Sequence, residues 1–261
     1  MPTGRQLLAE LAAKGHHHFT TPEAVTLLDS TPVAARAVLR RLTAKGEIAS
    51  PHRGFHVIVP PEYRSLGCLP AEQFVPQLLE HLGLYHYVAL LTAAELHGAA
   101  SQRPQLFQVM VRASRKAISC GAVKVQFAAR ADLERTPVLL RNTPRGTLRL
   151  SSPEATALEL VGYAGQCGGL DHVLAVLEEL APALDPVRLV AAAKTCPSAW
   201  TQRLGYLLDL LDQGALTESL AAHAAEHVRA NTALLPGEES KDSERLPRWR
   251  LWVNGKVALD R

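Results

Sequence analysis

Residues 20–59 read TTPEAVTLLDSTPVAARAVLRRLTAKGEIASPHRGFHVIV, and the fold assignment starts from them. Thr20-Thr21-Pro22-Glu23 places a hydroxyl cap before a proline in a first helical turn, with Val25 and Leu28 facing inward. Only a short helix fits before Ser30-Thr31-Pro32 repeats the signal. A longer helix then runs from Pro32 to Lys45, and Gly46 stops it. Glu47–Ser50 reads as a strand, Pro51-His52-Arg53-Gly54 as a turn and Phe55–Val59 as an alternating strand. Upstream, Leu7, Leu8, Leu11 and Ala12 recur at helical spacing and Gly15 ends that segment. Capped helices around a tight turn, followed at once by a hairpin, are the pattern of a helix-turn-helix with a wing. Pro60-Pro61 closes the unit.

In the Pro32–Lys45 helix, Ala35, Leu39 and Leu42 form an inward stripe that meets Ile48. Arg36, Ala37, Arg40 and Arg41 fall mainly off that stripe. A helix with this charge pattern suits the major groove, where arginine can pair bidentately with guanine. Arg36 is the expected base reader and Arg40 the expected phosphate clamp. Arg41 and Lys45 fit either phosphate contacts or solvated charges. Thr20, Thr21, Ser30 and Thr31 offer hydroxyls and free N–H groups at helix starts, where a phosphate can bind. His52 and Arg53 at the wing tip reach toward backbone or minor groove. The alternative is a plain solvated basic helix, since arginine is a good helix former.

Charge distribution agrees with contact to a polyanion. Residues 1–60 carry 7 Lys/Arg against 4 Asp/Glu, residues 61–150 carry 11 against 6, and residues 151–261 carry 10 against 15. Hydrophobic residues make up 47% and aromatics 5%, so the core is expected to be Leu, Val and Ala, as in helix-rich proteins. No run approaches the roughly 18 apolar residues of a membrane span, and no secretory signal opens the chain, so a cytoplasmic location is expected. Cys68, Cys120, Cys167 and Cys196 are scattered without a Cys-x-x-Cys pair and read as buried free thiols.

Beyond residue 60, Ala71–Leu82 and Val88–Gly98 read as helices, and Leu106–Val111, Val123–Phe127, Val138–Asn142 and Thr147–Leu150 as strands. Ser151 and Glu154 have capping-box spacing at the head of a long helical region reaching His227. Pro236–Pro247 reads as a loop and Trp249–Val253 as a returning strand. Arg112, Arg115, Lys116 and Lys124 form a possible secondary basic patch or a merely soluble surface. The expected class is α+β and helix-rich. Residues 1–60 would form the winged helix-turn-helix, 61–150 a mixed helix and sheet part, and 151–261 a mainly helical part.

Other constellations favour structural readings. His223 and His227 have two-ligand spacing but no third ligand. His16–His18 read as a solvated loop between helices. Glu95 and His97 lack a nucleophile. Gly165, Gly168 and Gly169 lack the Gly-Lys-Ser/Thr of a phosphate loop. Asp132 and Glu134 lack a nuclease lysine, because Arg135-Thr136-Pro137 follows. No catalytic residue, metal site or cofactor is expected.

Four stretches carry a resemblance. They are Tyr87–Ala100 (YVALLTAAELHGAA) continuing through Arg103-Pro104 to Val109, Ser152–Leu160 (SPEATALEL), Gly168-Gly169-Leu170-Asp171, and Gln202–Leu208 (QRLGYLL). In this order they resemble the AbiEi family of type IV antitoxins across nearly the whole chain. The resemblance implies a winged helix joined to an antitoxin domain, and autorepression through inverted repeats in the operon's promoter. It also implies action against a nucleotidyltransferase-like toxin without a stable complex, in defence against phage. A monomer binding DNA cooperatively fits that picture. Competing classes are a winged-helix-targeted nuclease and a winged helix that docks protein; a nucleotidyltransferase-like neighbouring gene would favour the antitoxin.

Overall fold

A computed structural model describes residues 3–99, 105–241 and 243–259. Ala100 and residues 101–104, which include Arg103 and Pro104 of the resemblance, lie outside the described residues. The protein is a mixed α/β chain of two compact units. One comprises Met1–His86, Gln105–Ala131 and Leu140–Leu148; the other comprises Tyr87–Pro104, Asp132–Leu139 and Arg149–Arg261. No helix among the described residues is long and apolar enough to cross a membrane.

The first unit opens with α1 (Gly4–Ala13), β1 (His18–Thr20), α2 (Thr21–Leu27), α3 (Pro32–Ala44), β2 (Ile48–His52) and β3 (Phe55–Ile58). Local chemistry explains each helix start. Thr3 caps α1 and Thr20 caps α2, both in reciprocal capping boxes, and Thr31 caps α3 by accepting from the Ala34 amide at 3.3 Å. The three helices bury Leu7, Leu11, Ala24, Leu28, Ala35, Leu39 and Leu42 together with Phe19 and Ile48. The inward stripe read for α3 is therefore its buried face.

Two local expectations are corrected here. His16–His18 is no solvated loop: His17 is buried, and His18 begins β1, which pairs antiparallel with β3 through His18↔Val57 and Thr20↔Phe55. The strand was invisible because it is three residues long and its partner lies nearly forty residues away. The hairpin turn is also shorter than Pro51–Gly54. His52 pairs with Phe55, leaving Arg53-Gly54 as the loop, with Gly54 at φ +80°, a conformation that glycine adopts without Cβ strain. Pro51 sits inside β2 where the register shifts between Ala49 and His52, a bulge that tolerates its missing N–H.

Residues after 60 share a core with the hairpin. Phe55, Val57 and Val59 pack with Leu69, Phe74, Leu78 and Leu79, and with Val109, Val111 and Val125. These come from the loop after β3, from α4 (Val75–His81), and from the next strands of this unit. β4 (His86–Val88) and α5 (Leu90–Leu96) intervene in sequence before β5 (Phe107–Val111), β6 (Ile118–Cys120) and β7 (Val123–Ala129). β7 pairs parallel with β5 and antiparallel with β6. The expected helix over Ala71–Leu82 begins instead as a 3₁₀ turn, Ala71–Gln73, and becomes α-helical at Val75. Cys68 and Cys120, fifty-two residues apart in sequence, meet in this core. The neighbouring Cys120 side chain, together with burial, pushes the Cys68 thiol up.

β8 (Val138–Thr143) and β9 (Gly146–Ser151) are neighbouring strands. In the second unit Val88 pairs parallel with Leu150. The helices α6 (Pro153–Gly162), α7 (Leu170–Leu180), α8 (Pro186–Ala193), α9 (Ser198–Leu210) and α10 (Gly214–His227) follow. The cap of α6 is Ser152, accepting from the Ala155 amide at 3.2 Å, and not Ser151. Ser151 ends β9 and its hydroxyl bonds Thr156 at 2.7 Å, which removes it from the capping role. β10 (Thr232–Ala233), β11 (Glu244–Leu246) and β12 (Leu251–Val253) make a small sheet in the order β10-β12-β11. β11 falls inside the segment expected to be only loop.

Candidate nucleic-acid interface

α3 stands between two grooves of the first unit. On one flank, an open groove of about 1280 Å³ separates α3 from the hairpin, and Thr21, Arg36, Arg40, Arg53 and His56 line it with Val33 and Leu39. On the other, a groove of about 640 Å³ is lined by Arg5 of α1 with Ser30, Ala37, Arg41, Lys45 and Glu47. The helical period makes this division: positions 33, 36 and 40 share one face, and 37, 41 and 45 the next.

The expected interface residues therefore fall into two sets. Arg36, Arg40 and Arg53 are exposed around the hairpin groove, while Arg41 and Lys45 are exposed on the α1 side. Among the described residues, none of Arg36, Arg40, Lys45 and Arg53 takes part in an ion pair, so their charges are available to an anion. His52 is half-buried, its Nδ1 3.2 Å from the Arg53 carbonyl. The threonine hydroxyls are partly committed. Thr20 bonds the Glu23 carboxylate at 2.9 Å and Thr31 caps α3, while the Ser30 hydroxyl is buried and has no hydrogen-bond partner among the described residues.

His56 went unnoticed in the sequence. It is buried at the groove floor, with Nδ1 2.8 Å from the Ser50 hydroxyl and Nε2 2.9 Å from the Thr21 hydroxyl. The Thr21 amide donates to the Gly54 carbonyl at 2.9 Å. These bonds fix the hairpin against the start of α2. Burial lowers the His56 pKa below the ordinary histidine value, so the ring is held neutral. Val33 and Arg5 were missed as well; alternation of charge along α3 could have flagged Val33 as an apolar residue without a core position. Arg112, Arg115, Lys116 and Lys124 are all exposed, the first donating to the Ala131 carbonyl at 3.3 Å. No group of three or more His, Cys, Asp or Glu that could hold a metal occurs among the described residues, and His223 and His227 stack on each other with ring centroids 4.4 Å apart.

In the second unit, the residues quoted for the resemblance turn inward. Tyr87 donates to Glu159 at 2.6 Å and lies 3.0 Å from the Thr136 hydroxyl, all three being buried. His97 Nε2 lies 2.8 Å from the Ser151 carbonyl, in keeping with a structural role. Glu154 accepts from the Asp185 amide at 3.2 Å. Gln202 donates to the Ala230 and Arg250 carbonyls and Arg203 to that of Ala233, tying α9 to the C-terminal sheet. Gly205 leaves room for Trp249, since a Cβ there would overlap the indole ring.

The molecule is thus a two-unit α/β protein whose first unit displays free cationic side chains around a helix and hairpin. Residues 87–210, which draw on both units, match the family model of the AbiEi antitoxin C-terminal domain. No curated protein matches the chain. The crystal structure of the RV2827C protein from Mycobacterium tuberculosis is similar in fold, with a TM-score of 0.64 at 19% identity over 96% of this chain and 91% of that one. An antigenic nucleotidyltransferase-like protein from Paracoccidioides brasiliensis aligns over 58% of this chain and 91% of its own, with a TM-score of 0.42 at 14% identity. That second likeness is too weak to bear on function.

Proposed function

We propose that this protein is a DNA-binding autorepressor and antitoxin, with residues 1–60 acting as a winged helix-turn-helix. The carrying observation is the groove between α3 and the hairpin, edged by Arg36, Arg40 and Arg53, none of them in an ion pair among the described residues. Arg36 reads a base edge, Arg40 and Arg53 hold phosphates, and Arg41 and Lys45 extend phosphate contact on the far flank. Arg112, Arg115, Lys116 and Lys124 add positive charge in the same unit.

The AbiEi antitoxin domain supports the second half of the reading. Residues 61–261 act against a nucleotidyltransferase-like toxin encoded alongside, without a stable complex, in the cytoplasm and in phage defence. The protein itself needs no cofactor or metal and performs no catalysis. Its DNA target is the inverted repeats of its own promoter. Two copies on one face of the duplex require repeats separated by a multiple of about 10–10.5 bp. Footprinting the purified full chain on its own upstream region tests this. Two phased protected sites are expected, and a uniform ladder with no protection would end the repressor reading.

A further inference from the structure

Val33 is an apolar, β-branched residue in the first turn of α3, and its side chain is 74% exposed. It has no part in the fold. Thr31 supplies the helix cap, and Ala35, Leu39 and Leu42 supply the buried face. Valine is also a weaker helix former than the polar residues that normally occupy an open helical position. Yet Val33 lines the same groove as Arg36 and Arg40, on the face of α3 that carries the free cations.

We infer that Val33 is a specificity residue that recognises the 5-methyl group of thymine in the major groove. This rests on the proposed DNA-binding reading and deepens it. The thymine methyl is the one apolar feature that a base pair shows in that groove, and small aliphatic side chains are its natural partners. Val33 precedes Arg36 by three residues, a rise of about 4.5 Å along the helix. Successive base pairs are about 3.4 Å apart. The two side chains therefore address neighbouring base pairs, Val33 taking a thymine and Arg36 a guanine. The half-site is expected to contain that thymine next to, or one pair removed from, the guanine contacted by Arg36.

Replacing each thymine of the footprinted half-site in turn by deoxyuridine removes only the methyl group and leaves every hydrogen-bonding atom in place. Binding of the full chain would be followed by fluorescence anisotropy. One position per half-site should weaken by about fourfold on replacement, the worth of one buried methyl group. The V33S protein, which is altered only at a largely exposed side chain and presents a polar hydroxyl in place of the methyls, should bind the methylated and unmethylated operators equally. The inference is overturned if no thymine position is sensitive, if the protected half-site contains no thymine, or if V33S retains the full penalty at the sensitive position. Absence of any footprint would instead overturn the DNA-binding reading itself, and this inference with it. A footprint without methyl sensitivity removes only the role of Val33.

Discussion

The imidazole Nε2 of His56 lies 2.9 Å from the hydroxyl of Thr21, joining the hairpin to the first residue of α2. Its other nitrogen meets Ser50 across the hairpin. The geometry of the groove beside α3 therefore depends on a buried neutral histidine.

That dependence makes the first unit sensitive to acid. Burial lowers the pKa of His56, and burial with neighbouring His18 and Arg145 brings His17 down from 6.5 to about 4. The unfolded chain takes up protons as pH falls through about 6.5, whereas the folded unit resists until lower pH. The stability these rings confer is complete above pH 6.5 and is lost as pH falls toward their folded pKa values. Urea midpoints should drop between pH 7.5 and pH 5, and the double variant His17→Gln, His56→Gln should flatten the slope. An equally steep slope in that variant would assign the effect elsewhere.

Arg36 and Arg40 share a groove but differ in expected role. Arg36→Ala should relax preference at one base pair and cost about 1–3 kcal/mol on the specific operator, with little change on random DNA. Arg40→Ala should weaken both and reduce the slope of log K against log salt by about 0.9. Gel shifts across a salt series separate the two. Unchanged affinity in both variants would remove α3 from the interface.

Trp249 rests against Gly205 so closely that the second unit should not accept a methyl group there. Gly205→Ala should destabilise by about 1–3 kcal/mol through overpacking, and Trp249→Ala by about 3–5 kcal/mol through a cavity. Because both act on one contact, their effects should not add, and a double-mutant cycle on denaturant midpoints measures the coupling. Additive losses would show that the two positions do not communicate.

The Tyr87 hydroxyl donates to a carboxylate that is wholly buried. Tyr87→Phe leaves Glu159 one hydrogen bond short, and a loss of about 1–3 kcal/mol is expected in the domain's unfolding free energy. The paired change Tyr87→Phe, Glu159→Gln should recover part of it, since an amide is cheaper to leave under-bonded than a charge. No recovery on urea titration would mean that other partners already satisfy the carboxylate.

Features that depend on only a turn or two of chain are legible in the residues themselves. Thr20, Thr31 and their prolines announce α2 and α3, and the spacing of Ala35, Leu39 and Leu42 marks the buried face, because caps and helical periodicity are local. Four strands of the later chain were legible from their short, mostly apolar segments for the same reason. Tertiary structure decided what depends on distant partners. His18 joins a strand only because β3 lies beside it, and His17 is buried by that pairing. Cys68 meets Cys120 across fifty-two residues, and Gly205 is required only because Trp249 returns to cover it. The basic residues of α3 were visible as a group. Their separation into a hairpin groove and an α1 groove, with Val33 left open in the first, arises from which elements pack on either flank of the helix. No local spacing encodes those neighbours.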